Sequence, residues 1–544
     1  MADFSSVKIF FNAKFFTFKL EKHAEPCFFD CMHVMGTKIL YMGSRMDQKS
    51  IDAISSGASL HDLYGSLVLP GFIDGHMHLL LLGQSLQKLS LEDCQNLDDI
   101  KQKIKAYGEA NPKLKRLLCC GWMHPMTNGD ADSKMLEDLD ERPIFIDAKD
   151  LHSTWCNEAA LRELGVDSIA EPVGGIIHRN SDGKPSGLIS ESANISLVWP
   201  HLAKVASPEE KMVAIKSALS AYMKEGYTGI CDMAMDENAW EALVNLQREE
   251  DLPIRIAAYW LITPSENIDS NLKQVNRAIN LRREYNETNS PNLRIAGIKL
   301  ICDGVIDACT AALLEPYSTN NSPDPLWSIE MLEPVVEYAD KAGLQCALHA
   351  IGDRAIRNAI DVLEKYSTPG RRHRIEHLEL CSAEDACRLG KLSITASIQP
   401  VHADPAILKA WPHLLGEQRC TRAFAYREFL DGGATLALGT DSPTAPYQAM
   451  PNIYTATTRR SAREPASNVT VNENHALSLS SAISSYTHGS AYSCFSESFT
   501  GQLEAGYSAD FVVMDMKWST DNLLKAKVKE TWYCGKKLYG CSTS

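Results

Sequence analysis

The chain has 544 residues, with 54 lysines and arginines against 69 aspartates and glutamates, a formal charge of −15. Its positive residues are scattered, which excludes the basic footprint of a nucleic-acid or anionic-membrane binder. No apolar run reaches the roughly eighteen residues of a membrane span, and the first residues, Met1-Ala-Asp-Phe-Ser-Ser, lack the charged and apolar segments of a signal peptide. A soluble, cytoplasmic protein acting on a small molecule is expected, with a homodimer as the expected assembly. The length exceeds what one compact core accommodates, so a large domain with a smaller companion is anticipated. The 16 cysteines are dispersed, without zinc-ribbon spacing, as reduced thiols would be.

The first segment, with Val7-Lys-Ile-Phe-Phe and His33-Val-Met-Gly-Thr-Lys-Ile-Leu, alternates like antiparallel strands with a hairpin at Gly36. Next comes Leu67-Val-Leu-Pro-Gly-Phe-Ile-Asp-Gly-His76-Met77-His78, an apolar strand ending in two histidines at i and i+2. Strand alternation sends both imidazoles to one side, within reach of a single cation. Residues 115–199, with Gly174-Gly175 and an Asp-Gly turn at 182–183, read as an inserted segment.

Short buried strands then alternate with helical patterns at Tyr227–Asp232, Ile295–Gly304, Leu344–His349, His373–His377, Ile394–Gln399 and Ala434–Asp441. With the His76 strand these make seven, which favours a closed (β/α)8 barrel of the TIM type over an open sheet. Ala509–Asp515 and Val528–Tyr539 return to the texture of the first segment. The expected organisation is therefore an α/β barrel over 67–487, with 1–66 and 488–544 joining as one small β-sandwich.

His76, His78, Lys299, His349, His377 and Asp441 each stand at or near the C-terminal end of an apolar strand, on the face where barrel enzymes place their chemistry. Their order resembles the amidohydrolase superfamily, and specifically its amidohydrolase-3 branch, which includes the N-substituted formamide deformylases. The resemblance covers nearly the whole chain. Its motifs are Pro70–His78, His152-Ser-Thr-Trp-Cys-Asn157, Gly174-Gly-Ile-Ile-His-Arg with Pro185-Ser-Gly-Leu and Glu191, Ile298–Gly304, Gly439-Thr-Asp-Ser-Pro443 and Gly501–Asp510.

The resemblance implies one divalent ion, Zn2+ by its donors, on His76 and His78, and a second on His349 and His377. Lys299, carboxylated by carbon dioxide, would bridge them. An ammonium cannot ligate a metal, so the alternative for Lys299 is a buried ion pair with Asp303, which would leave a single ion. Asp441 would be a ligand and the proton shuttle, and His152 would help polarise a carbonyl. Trp122, Trp155, Asp303, Gln399 and His402 are expected to line the substrate pocket. His124 stands where relatives tend to carry an aspartate after the tryptophan, a departure that bears on substrate.

Hydrolysis of a non-peptide carbon–nitrogen bond, in an N-substituted formamide or other small amide, is the expected activity. Cyclic-amide or lactone hydrolysis would use the same attack. Deamination fits less well, because the superfamily's deaminases place a glutamate soon after the fifth-strand histidine and lack the lysine. A non-catalytic scaffold that keeps the fold is the reading from another class, and metal-assisted decarboxylation is a fourth.

Overall fold

The computed structural model describes residues 7–17, 26–149, 153–172, 175–191 and 193–540. At its centre stand eight parallel strands: β1 (Phe72–Met77), β2 (Tyr227–Met235), β3 (Arg255–Ile262), β4 (Leu293–Ile301), β5 (Gln345–Ala350), β6 (Arg374–His377), β7 (Thr395–Ile398) and β8 (Leu436–Leu438). Each is bonded to its neighbour in sequence. These strands read as continuous apolar runs because helices cover them outside and side chains fill the barrel inside. In β4 only the last residue is not buried. The helix Asp353–Tyr366 shows the complementary pattern, burying Ala355, Ile356, Ala359, Ile360, Val362 and Leu363 along one stripe.

β3 is the strand missing from the sequence reading. Its run Arg255-Ile-Ala-Ala-Tyr-Trp-Leu-Ile carries no strand-end metal-ligand candidate, so a search guided by chemistry passes over it.

β1 and β8 complete the circle through glycine. A Cβ on Gly75 would lie 2.8 Å from the Leu438 carbonyl oxygen, and one on Gly439 would lie 2.4 Å from the His76 nitrogen. Beyond that contact the Thr440 and Asp441 amides donate to the His76 carbonyl at 3.1 and 2.7 Å, and the His78 amide donates to the Ser442 carbonyl at 2.9 Å.

The two chain ends meet in one seven-stranded sheet, ordered 536–539, 527–533, 511–515, 59–70, 7–17, 27–35 and 38–43. Its apolar face closes around Phe10, whose ring centroid lies 5.1 Å from Phe511 and 4.9 Å from Trp532. Strand Ser59–Pro70 bonds to both ends of the chain and so runs through the boundary expected at 66/67. Residues 490–496 remain under the barrel rather than leaving it at 488, since Arg294 and Arg374 donate to Cys494, Ser496 and Ser493.

Between β1 and β2 the chain builds a third sheet, ordered 175–179, 185–191, 153–156, 144–148, 117–122 and 89–90. Its first strand begins well before the insertion point expected near 115. All fifteen described cysteines are free. No helix among the described residues is long and apolar enough to cross a membrane.

Phe10 is fully buried between strands from opposite ends of the chain. Phe10→Ala is expected to cost about 3–5 kcal/mol and to speed amide hydrogen exchange in 511–515 and 527–533. Unchanged protection in those strands would contradict the mutual dependence of the two ends.

Candidate metal centre

His76, next to last in β1, has its side chain inside the barrel. Its Nδ1 lies 2.7 Å from Glu376 Oε2, and Arg374 donates to both oxygens of Glu376 at 2.7 and 3.1 Å. Burial alone would raise the Glu376 carboxyl, but the Arg374 guanidinium, the His76 hydrogen bond and charge and the Lys299 charge together outweigh it and hold it well below the usual carboxylate range. An ionised carboxylate only accepts, so His76 carries its proton on Nδ1 and keeps a lone pair on Nε2.

The same logic fixes His78, whose Nδ1 lies 2.7 Å from the Met233 carbonyl oxygen, also an acceptor only. Both Nε2 atoms then face Asp441 Oδ1, at 3.4 Å from His76 and 3.0 Å from His78. Three lone pairs converging this closely repel unless a cation stands among them. Burial pulls the His78 imidazole down, yet the hydrogen bond and charge of Asp441 outweigh it and lift it above its ordinary value. Two imidazole nitrogens and a carboxylate oxygen each about 2.1 Å from a tetrahedral Zn2+ would be about 3.4 Å apart, close to the separations from Asp441, so the donor set fits such an ion.

Asp441 has a left-handed backbone, φ 57°, sparsely populated for a residue other than glycine. Asp74 holds that loop in place. It accepts the His76 amide at 3.1 Å, the Thr440 amide at 3.0 Å, the Thr440 hydroxyl at 2.6 Å and the Tyr222 hydroxyl at 2.8 Å. Burial pushes its carboxyl up to about 6 despite these four donors.

Lys299, on β4, is 2% exposed, and its amine has no hydrogen-bond partner among the described residues. Burial brings its pKa down to about 8. The ion pair with Asp303, weighed as the alternative for this lysine, is not formed among the described residues. Asp303 instead accepts the Ile351, Gly352 and Ala312 amides at 3.0, 2.8 and 3.0 Å, which locks the chain after β4 to the chain after β5.

His349 and His377, ending β5 and β6, have ring centroids 4.3 Å apart, and His377 lies 5.0 Å from His76. Strand alternation places Arg374 and Glu376 inside the barrel and would turn His377 outward. Left-handed backbones at His377, φ 75°, and Leu378, φ 53°, bring it back. The His377 Nδ1 is buried without a hydrogen-bond partner among the described residues.

His402 also belongs to this cluster. Its Nδ1 lies 3.1 Å from Glu379 Oε1, its Nε2 3.7 Å from Asp441 Oδ2, and its ring runs parallel to that of His377 at 5.7 Å. Donor atoms of His377, Glu379 and His402 lie within 4.8 Å of one another, as do those of His76, His78 and Asp441. Gln399, just beyond β7, is buried, and its Oε1 has no partner among the described residues.

The two tryptophans pack in the inserted sheet. Trp122 and Trp155 are fully buried in the inserted sheet's own cluster, 5.4 Å apart, and the exposed His124 leans on Trp122 at 4.5 Å. Their ring contacts run among themselves, with none to the strand-end histidines among the described residues. His152 lies outside the described residues.

A sequence model described as the amidohydrolase family matches residues 60–539. The chain belongs to the amidohydrolase family. Within it, its relatives place it in the amidohydrolase-3 branch. This amidohydrolase is 29% identical to the protein LONG AFTER FAR-RED 3 of Arabidopsis thaliana, over 94% of this chain and 88% of that protein. It is 24% identical to an N-substituted formamide deformylase of Arthrobacter pascens, over 92% of this chain and 93% of that enzyme. Among solved structures, an uncharacterized metal-dependent hydrolase from Pyrococcus horikoshii superposes with a TM-score of 0.76 at 26% identity, covering 94% and 98% of the two chains. Family and structural likeness together support a hydrolase.

In this amidohydrolase, burial and then the Lys299 ammonium pull His349 from 6.5 down to about 3. The unfolded chain takes up a proton here below pH 6.5 while the folded chain resists until about pH 3. The stability from this group is thus complete above 6.5 and is lost as pH falls toward 3. Between pH 7 and pH 5, the metal-stripped parent should lose up to about 2 kcal/mol more than His349→Asn in urea unfolding. Equal losses would contradict a neutral His349.

Proposed function

We propose that this amidohydrolase is a metal-dependent hydrolase of a non-peptide carbon–nitrogen bond in a small molecule, most directly an N-substituted formamide or another small linear amide. The observation that carries this reading is the convergence of His76 Nε2, His78 Nε2 and Asp441 Oδ1. In the proposed arrangement His76, His78 and Asp441 hold one divalent ion, His349 and His377 hold a second, and Lys299 lies between.

The depressed pKa of Lys299 leaves part of its amine neutral near neutral pH. Its lone pair can then form an N–C bond to carbon dioxide with loss of one proton, giving an anionic carbamate that could bridge two ions. When bound, a divalent ion such as Zn2+ makes water acidic enough to supply hydroxide near neutrality and polarises a carbonyl oxygen.

The remaining work falls to the protein. Asp441 Oδ1 is turned to the two histidines, whereas Oδ2 faces His402. A proton held at Oδ2 can be handed to the leaving nitrogen, which would otherwise depart as a poor anion. His402, kept in place by Glu379, and Gln399, whose Oε1 has no partner among the described residues, would orient a substrate amide. The Arthrobacter relative motivates the choice of formamides as first substrates.

Protein reconstituted with Zn2+ is expected to release amine from a panel of N-substituted formamides and small amides. Asp441→Asn should reduce that turnover by about 100- to 10,000-fold. No amine released by the Zn2+-loaded protein from any member of the panel, or undiminished turnover in Asp441→Asn, would overturn the reading.

A further inference from the structure

Beneath the proposed ligands a line of buried polar groups runs from the chain's C-terminal part to His76. Arg374 is fully buried and its donors are widely engaged. Nε donates to Glu376 Oε1 at 2.7 Å. Nη2 donates to the Gly75 carbonyl at 2.6 Å, to Ser397 Oγ at 2.8 Å and to Glu376 Oε2 at 3.1 Å. Nη1 reaches Ser493 Oγ at 3.1 Å and the Tyr259 hydroxyl at 3.3 Å.

Ser493 closes the short helix Ser490–Ser493, which follows the barrel and precedes the C-terminal strands of the small sheet. Its carbonyl accepts from Tyr259 at 3.2 Å and from Gln345 Nε2 at 3.1 Å. At the other end of the line, Glu376 Oε2 meets His76 Nδ1 at 2.7 Å.

Removing a carboxylate from solvent is costly, so a fold that needed only to satisfy one imidazole N–H could have used a carbonyl, as it does for His78. The charged partner does more than a carbonyl. It fixes the Nδ1–H tautomer, orients the ring and makes Nε2 a stronger donor, the usual effect of a carboxylate behind a metal-binding imidazole. The opposite tautomer would aim an N–H at Asp441 and leave no lone pair for a cation.

We propose that Glu376 is a positioning residue that presets His76 as a ligand, and that Arg374 and the helix Ser490–Ser493 belong to the same apparatus. The C-terminal part of the chain then does more than complete the small sheet, because Ser493 anchors the guanidinium that holds both oxygens of Glu376 and aligns the one that meets His76. This rests on the ligand set proposed above.

The test uses the full-length chain, stripped of metal and titrated with Zn2+ against a competing chelator, beside ring-nitrogen NMR of the metal-free parent. The parent is expected to show His76 protonated on Nδ1. Glu376→Gln, which keeps an acceptor and removes the charge, should weaken Zn2+ binding by about 10- to 100-fold. Ser493→Ala should weaken it by less.

His76 protonated on Nε2, or Glu376→Gln binding Zn2+ as tightly as the parent while only its melting temperature falls, would overturn the positioning role. If Glu376→Gln does not fold, the NMR tautomer and Ser493→Ala still decide. Undiminished affinity in Ser493→Ala would remove the helix from the apparatus. A parent that binds no Zn2+ overturns the ligand set together with the inference, and is told apart because the failure lies in the parent rather than in the variants.

Discussion

The seam between β1 and β8 is the contact on which the site depends. Two glycines allow the strands to touch with less than 3 Å to spare for any Cβ. Asp74 then accepts amides from both sides, while the Asp441 amide donates to the His76 carbonyl. The first strand's histidines and the last strand's aspartate, 363 positions apart from His78 to Asp441, are thereby brought within hydrogen-bond distance. Because this clasp is made of backbone groups and one buried carboxylate, the relative placement of the three donors is largely settled before any ion arrives. That is the condition under which an ion is bound without a further ordering cost.

Electrostatics explains why such a cluster does not collapse on itself. Burial lowers the His349 and His377 imidazoles and the Lys299 amine, while Arg374, His76 and Lys299 together hold the Glu376 carboxyl low. The result is a pocket of uncommitted lone pairs in a low-dielectric interior, where a dication is attracted far more strongly than in water. Left-handed backbones at His377, Leu378 and Asp441 are the conformational cost of aiming these groups, concentrated where strain is commonly stored.

Much of this was legible in the sequence because strand parity is strict. Two histidines at i and i+2 after an apolar run must share a face, and six candidate residues at the ends of such runs point to one face of a barrel. Parity also explains what stayed hidden. Glu376 and Arg374 sit in the same four-residue strand as His377, yet nothing in Arg374-Ile-Glu-His tells that the guanidinium serves the carboxylate and the carboxylate serves a histidine 300 positions earlier. Glu379 was missed for the same reason, as its partner His402 comes from the next strand's loop. β3 carries no chemistry, and the pairing of Trp122 with Trp155 shows that aromatic residues near a motif can simply be the core of an inserted sheet.

The central claim is that the strand-end donors hold a metal ion. An anomalous difference map at the zinc edge, from crystals of the Zn2+-reconstituted protein, tests it most directly. The account predicts a strong peak among His76 Nε2, His78 Nε2 and Asp441 Oδ1. A map with no density there, in protein shown to carry zinc, would contradict it.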